Sequence, residues 1–129
     1  MKKLLSALVF ILFSINSFAD WDMMVCSLVD DKGNCIGKSE TFTFISNELP
    51  LTVKLSNTDG LRTAKVYFEV YLMDLTTYAE ELLNTEETKT EATQSSVSQI
   101  IKFLKKGHYI IKARDAFKDY ITSREVEVK

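Results

Sequence analysis

Few side chains in this sequence are of types that do chemistry, and their spacing argues against most reactions. The one histidine, His108, lies in LKKGHYIIKARD (104–115), next to Gly107. A histidine acts as a general base, or as the partner of a nucleophile, only within reach of a serine, a cysteine or a metal. No GxSxG elbow, HExxH helix, phosphate-cradling loop or candidate catalytic cysteine is there to supply that partner. Alternation through the stretch puts Tyr109, Ile111 and Ala113 on one face and His108, Ile110, Lys112 and Arg114 on the other, so His108 reads as a surface residue beside a turn. The carboxylate pairs Glu80-Glu81 and Glu86-Glu87 fall in a polar stretch with no apolar pocket to raise one pKa, a poor start for glycosidase-like acid and base work. The expectation is a chain without a catalytic residue, a metal or a cofactor.

Cys26 and Cys35 are the only cysteines. Redox pairs usually stand two residues apart and zinc takes four ligands, whereas this chain offers two cysteines and one distant histidine. A structural disulfide is expected, closing a loop of about ten residues and contributing roughly 2–3 kcal/mol in the chain-entropy model. Its setting is given by MKKLLSALVFILFSINSFA (1–19), where two lysines precede the apolar run Leu4 to Phe13 and small residues occupy the cleavage positions at Ser17 and Ala19. This reads as a secretory signal peptide, too short in its apolar run to span a membrane. Asp20, not cysteine, follows the expected cut, so a lipoprotein anchor is not indicated. The mature chain, 20–129, is expected to be one soluble domain, periplasmic or secreted, with no membrane anchor. The whole sequence has a formal charge of −2, and losing Lys2 and Lys3 makes it more acidic, which gives no electrostatic case for nucleic acid.

Period-two alternation dominates the mature chain. WDMMVCSLV (21–29) reads as a strand, DDKGN as a turn in which Gly33 takes a positive φ, and the return to Cys35 as a hairpin with the cysteines across or diagonal from one another. TFTFI (41–45) and LPLTVKLS (49–56) follow, with Pro50 placed at a strand start or an edge because it cannot donate. After the NTDG turn, AKVYFEVYLM (64–73) should direct Ala64, Val66, Phe68, Val70 and Leu72 to the core. Residues 76–96 admit a short helix from the Thr77-x-x-Glu80 capping pattern, an edge strand or a loop. VSQIIKFL (97–104), HYIIKARDAF (108–117) and a last strand ending REVEVK complete about seven strands, which argues for an all-β antiparallel sandwich.

The pattern Leu-x-x-Gly-x-Tyr-x-Ile-x-Ala-x-Asp within 104–115 resembles the corner before strand F in immunoglobulin-like and fibronectin type III-like sandwiches. The resemblance implies that Gly107 supplies the turn and Tyr109 the structural tyrosine corner, its hydroxyl returning to upstream backbone. Ile111 stands where antibody domains have their second cysteine, and Trp21 is the only tryptophan, so the likeness is to the looser bacterial immunoglobulin-like group. The N-terminal disulfide-linked hairpin is then an addition to the sandwich.

Recognition is left to surfaces. The Tyr67, Tyr71 and Met73 row on the reverse of the longest strand could bind a protein or stack on a sugar ring, unless the N-terminal hairpin covers it. Charge is also uneven, with seven acidic residues against Lys89 between Glu69 and Glu91, and six basic residues against Asp115 between Lys102 and Lys118. The expected function is therefore a small exported, non-enzymatic module that binds an envelope or extracellular protein, as an inhibitor, immunity, secretion or surface-assembly accessory would. A carbohydrate-binding module using Tyr67 and Tyr71 is the alternative.

Overall fold

Strand propensity and alternation act together most clearly in KVYFEVYLM. Val66, Phe68 and Val70 are buried while Lys65, Tyr67, Glu69 and Tyr71 line the opposite, half-exposed face. The computed structural model describes residues 21–129; the signal peptide expected at 1–19 lies outside the described residues. Its strands are β1 Trp21–Cys26, β2 Leu28–Val29, β3 Cys35–Ile36, β4 Thr41–Phe42, β5 Leu49–Asn57, β6 Lys65–Met73, β7 Glu80–Lys89, β8 Ser96–Phe103, β9 Gly107–Arg114 and β10 Tyr120–Val128. There are thus ten strands rather than about seven, because β2, β3 and β4 are two-residue pieces between longer ones.

The strands form a three-stranded sheet ordered β1-β5-β8, a five-stranded sheet ordered β4-β10-β9-β6-β7, and the small β2-β3 ribbon. All pairings are antiparallel except β4 with β10. The two larger sheets share a core in which Val25, Leu51, Val53, Leu55, Ile101 and Phe103 face Val66, Phe68, Tyr109, Ile111, Ala113 and Val126. This is the immunoglobulin-like sandwich expected from the 104–115 stretch. In the lettering of that fold, β1, β5 and β8 take places A, B and E, while β7, β6, β9 and β10 take C′, C, F and G.

Several local expectations shift. Cys26 and Cys35 are bonded, with Cα atoms 5.6 Å apart, but the ribbon pairs Val29 with Cys35. The bridge therefore ties the ribbon back to the end of β1 instead of linking its own two strands. Gly33 turns that ribbon at φ 81°, and Lys54 of β5 donates to its carbonyl at 2.5 Å. Pro50 lies near the start of β5, beyond the last residue paired with β1, so no ladder bond is lost there. Ala64 is exposed just ahead of β6, and only Thr41 and Phe42 of the 41–45 run are strand.

The undecided 76–96 stretch contains strand β7 and no helix. Asp74 takes over the capping site: its Oδ1 accepts from the backbone N–H groups of Thr76 and Thr77, and its carbonyl accepts from Tyr78. Tyr78 adopts a left-handed φ of 59°, which ends the turn and starts the return strand along β6. The hydrogen-bonding edge of β6 outweighs a local helix start whose following residues include the β-branched Thr85 and Thr88.

Candidate functional site at the open side of the sandwich

Five strands facing three leave one side of the molecule uncovered. On the β1 side the sheet edge is closed: Ser39 donates to the Val25 carbonyl at 3.2 Å, and Arg124 Nε donates to the Met23 carbonyl at 3.0 Å. On the other side β7 overhangs, and no strand of the smaller sheet lies across it. Its two faces are exposed over most of its length. Between β7 and the free edge of β8 lies a cleft of about 470 Å³, lined by Val70, Leu83, Ile101, Phe103, Leu104 and Tyr109 with Asn84, Lys102 and Lys105 at its rim.

The sequence builds this cleft through a bulge. Val70 pairs with Asn84 and Tyr71 with Leu82, so Leu83 is the extra residue and turns into the cleft. Leu83 and Leu104 line the cleft and are exposed at 43% and 70%, while the exposed Leu82 and Ile100 lie on the outer faces of the two strands that flank it. At one end of the cleft the Thr88 hydroxyl donates to Gln99 Oε1 at 2.5 Å, joining the sheets. At the other end the Tyr109 hydroxyl donates to the Lys105 carbonyl at 2.6 Å, and its ring meets that of Phe103 edge-on with centroids 4.7 Å apart. Burial raises the Tyr109 phenol pKa, so the hydroxyl remains a donor well into the alkaline range.

Gly107 stands at the first position of β9 and, unlike Gly33 and Gly60, has no positive φ. The resemblance implied a turn glycine; the geometry shows instead a close-packing one. A Cβ there would stand 2.9 Å from Leu72 Cδ1 and 3.5 Å from the Tyr109 ring.

The Tyr67, Tyr71 and Met73 row lies on the outer face of the five-stranded sheet. The β2-β3 ribbon packs against β1 and β5 and does not cover that row. The row is instead occupied by its own neighbours. Lys112 Nζ sits 4.6 Å from the Tyr71 ring centroid and 2.8 Å from Glu80, while Lys65 and Lys118 lie 5.9 and 5.5 Å from that of Tyr67. Glu69 Oε1 accepts from Tyr71 at 2.9 Å and from Arg114 Nε at 2.6 Å. Burial pushes the Glu69 pKa up, but Arg114 and Tyr71 more than offset it and hold the carboxyl below its ordinary value. The Tyr71 phenol is raised by burial and by the Glu69 carboxylate. A sugar ring stacks on a bare aromatic face, and here cations already stand over both tyrosines.

His108 pairs with Glu127 at 2.6 Å on the same outer face. Among the described residues, neither a serine nor a cysteine completes a relay with it. Among the described residues no group of three or more His, Cys, Asp or Glu side chains could hold a metal ion. The adjacent carboxylates separate as the pleat requires: Glu80 goes to Lys112 and Glu87 to Lys65, while Asn84 donates to Glu86. Sequence reasoning missed the cleft. The one available signal was Leu82-Leu83, two consecutive large apolar residues breaking an otherwise polar strand.

No protein-family model matches the chain, and no curated protein matches it. Among solved structures, the soluble domain of PmoD from Methylocystis sp. aligns at a TM-score of 0.51 and 10% identity, covering 85% of this chain and 92% of that one. A Niemann-Pick type C2 protein from the Japanese carpenter ant aligns at 0.49 and 11% identity, covering 84% of this chain and 89% of that one. An immunoglobulin-like protein from Pseudomonas aeruginosa aligns at 0.43 and 7% identity, over 84% and 92%. At such identities the likeness concerns the fold alone.

Proposed function

We propose that this chain is a small exported binding module of the bacterial periplasm or cell exterior, which engages a partner protein through the open β7/β8 side. The observation that carries the reading is an apolar cleft lined by Val70, Ile101, Phe103 and the exposed Leu83 and Leu104, on the side where β8 has no strand neighbour, while the opposite edge is closed by hydrogen bonds. Export is supported by the leader pattern of 1–19 and by a disulfide of the kind that persists in oxidising compartments. No helix among the described residues is long and apolar enough to cross a membrane. The sugar-binding alternative loses ground because lysines stand over the tyrosines it would use.

The test is crosslinking of the tagged protein in its native envelope, in parallel with a Leu83→Asp, Leu104→Asp variant that keeps its thermal transition. The expected result is one dominant protein crosslinked to the wild type and lost from the variant. A partner retained by the variant, or a polysaccharide in place of a protein, would overturn the assignment.

A further inference from the structure

Resting on the reading of the open side as the binding face, we infer that the cleft is a vacant strand place, and that an extended segment of the partner docks beside β8 as a fourth strand of the smaller sheet. An immunoglobulin-like sheet of A, B and E strands has room for a D strand next to E. Here the chain runs from β7 to β8 through a short loop and leaves that place empty. The underside of β7, which such a strand would cover, presents Asn84, Glu86 and Thr88.

The two free edges are not equivalent. Exposed edges are normally guarded by charge, proline or bulges. β7 has all but the proline: Glu80, Glu81, Glu86, Glu87 and Lys89, with a bulge at Leu83. β8 reads SVSQIIKF, with no proline, no bulge and a single charge, Lys102. The Ser96 and Ile100 carbonyls accept from the Gln94 and Gln99 side chains, contacts that an incoming strand displaces, and β8 is the less guarded edge and the acceptor. Val97, Ile101 and Phe103 of β8 point inward, and the cleft continues that apolar row past the edge of the sheet.

From Gln99 to Phe103 the edge runs about 13 Å at ~3.3 Å per residue, room for four or five residues of an added strand. Its inward side chains must be apolar where they meet Ile101, Leu83 and Phe103, and polar where they face Asn84, Glu86 and Thr88 of β7. On the outer face it sits beside exposed Ile100 and Lys102, which favours a β-branched residue and a carboxylate there. Lys105 at the rim adds a second positive charge. β8 of a second copy would pair along this edge without filling the cleft, because its inward side chains are already buried in its own core.

The experiment titrates isotope-labelled full chain with acetylated, amidated nonapeptides that alternate valine and threonine. One set carries a glutamate, one a lysine in its place, and one N-methylated valines that cannot donate; decanoate serves as a non-peptide apolar probe. The glutamate peptide should slow hydrogen exchange of the alternate β8 amides that point away from β5 by about tenfold or more. N-methylation should weaken binding by about tenfold, and Lys102→Glu should reverse the preference between glutamate and lysine peptides.

Strand addition is overturned if the N-methylated peptide binds as well as its parent. It is also overturned if decanoate alone shifts the Leu83 and Ile101 methyls, or if no peptide alters β8 at millimolar concentration. A crosslinked partner that depends on Leu83 and Leu104 but leaves the β8 amides unprotected defeats strand addition and leaves the binding face standing. A partner indifferent to those leucines defeats both.

Discussion

Replacing Tyr109 by phenylalanine removes one oxygen from a ring that is 2% exposed and changes nothing else in the core. The lost interaction is the 2.6 Å bond from the hydroxyl to the Lys105 carbonyl. A hydrogen bond of this kind contributes a net ~0.5–1.5 kcal/mol. Lys105 is exposed, so its carbonyl can take a water instead, which places the expected loss in the lower half of that range. At roughly 4 °C per kcal/mol for a domain near this size, the thermal midpoint should fall by about 2–4 °C. The ring keeps its edge-on contact with Phe103, so a larger loss is not expected. Differential scanning calorimetry measures the midpoint, and amide exchange at Lys105, Lys106 and Gly107 should quicken as the corner loosens. Tyr120→Phe is the control: its hydroxyl bonds to Ser123 at the surface, and its removal should cost nothing measurable. An unchanged midpoint together with unchanged exchange in the 105–107 corner would refute the argument that this bond holds the corner.

Replacing both Cys26 and Cys35 by alanine should destabilise by about 2–3 kcal/mol from loop closure alone, measured by urea denaturation. Gly60→Ala should cost about 1–3 kcal/mol, because Gly60 has φ 97° and a Cβ would stand 2.8 Å from the Ala92 carbonyl oxygen. Gly107→Ala should stay within about 1 kcal/mol of wild type, since the nearest atom is the end of the Leu72 side chain and φ is not positive; a larger loss in the same denaturation series would restore the turn role. Glu69→Gln should cost about 1–2 kcal/mol near neutral pH. Because the folded carboxyl is held below its ordinary value, that stability is present above the normal carboxylate range and is lost as pH falls through the folded pKa, so acid-unfolding curves of variant and wild type should converge at low pH.

The fold was legible where alternation is long and the turn chemistry strong. KVYFEVYLM, HYIIKAR and LPLTVKLS each show a clean period of two, and the Cys26–Cys35 bond follows from composition. Local pattern failed at β7, because a strand exposed on both faces has no apolar period to display, and its place is set by the edge of β6. It failed at Gly107 for another reason: a glycine before a tyrosine looks the same whether it serves a turn or leaves space for Leu72. The cleft was invisible because it arises from the mismatch of two sheets, and strand count per sheet is a property of connections between distant segments. The tyrosine row was located correctly on the reverse face, but the lysines standing over it come from β6, β9 and the following turn, which no single-strand reading brings together.

The overhang of β7 also bears on how the molecule opens. β7 is laddered to β6 alone, and beyond that ladder it is held mainly by Lys65–Glu87, Lys112–Glu80 and the Thr88 to Gln99 bond. Such a strand is the natural unit of partial unfolding, able to detach at a free energy well below that of the whole domain. The core-facing residues of β6 and β9 would stay packed against β5 while it does so. The cleft therefore has one wall fixed to the core and one wall that can yield, and its width can adapt to side chains of different size without disturbing the stapled edge on the far side of the sandwich.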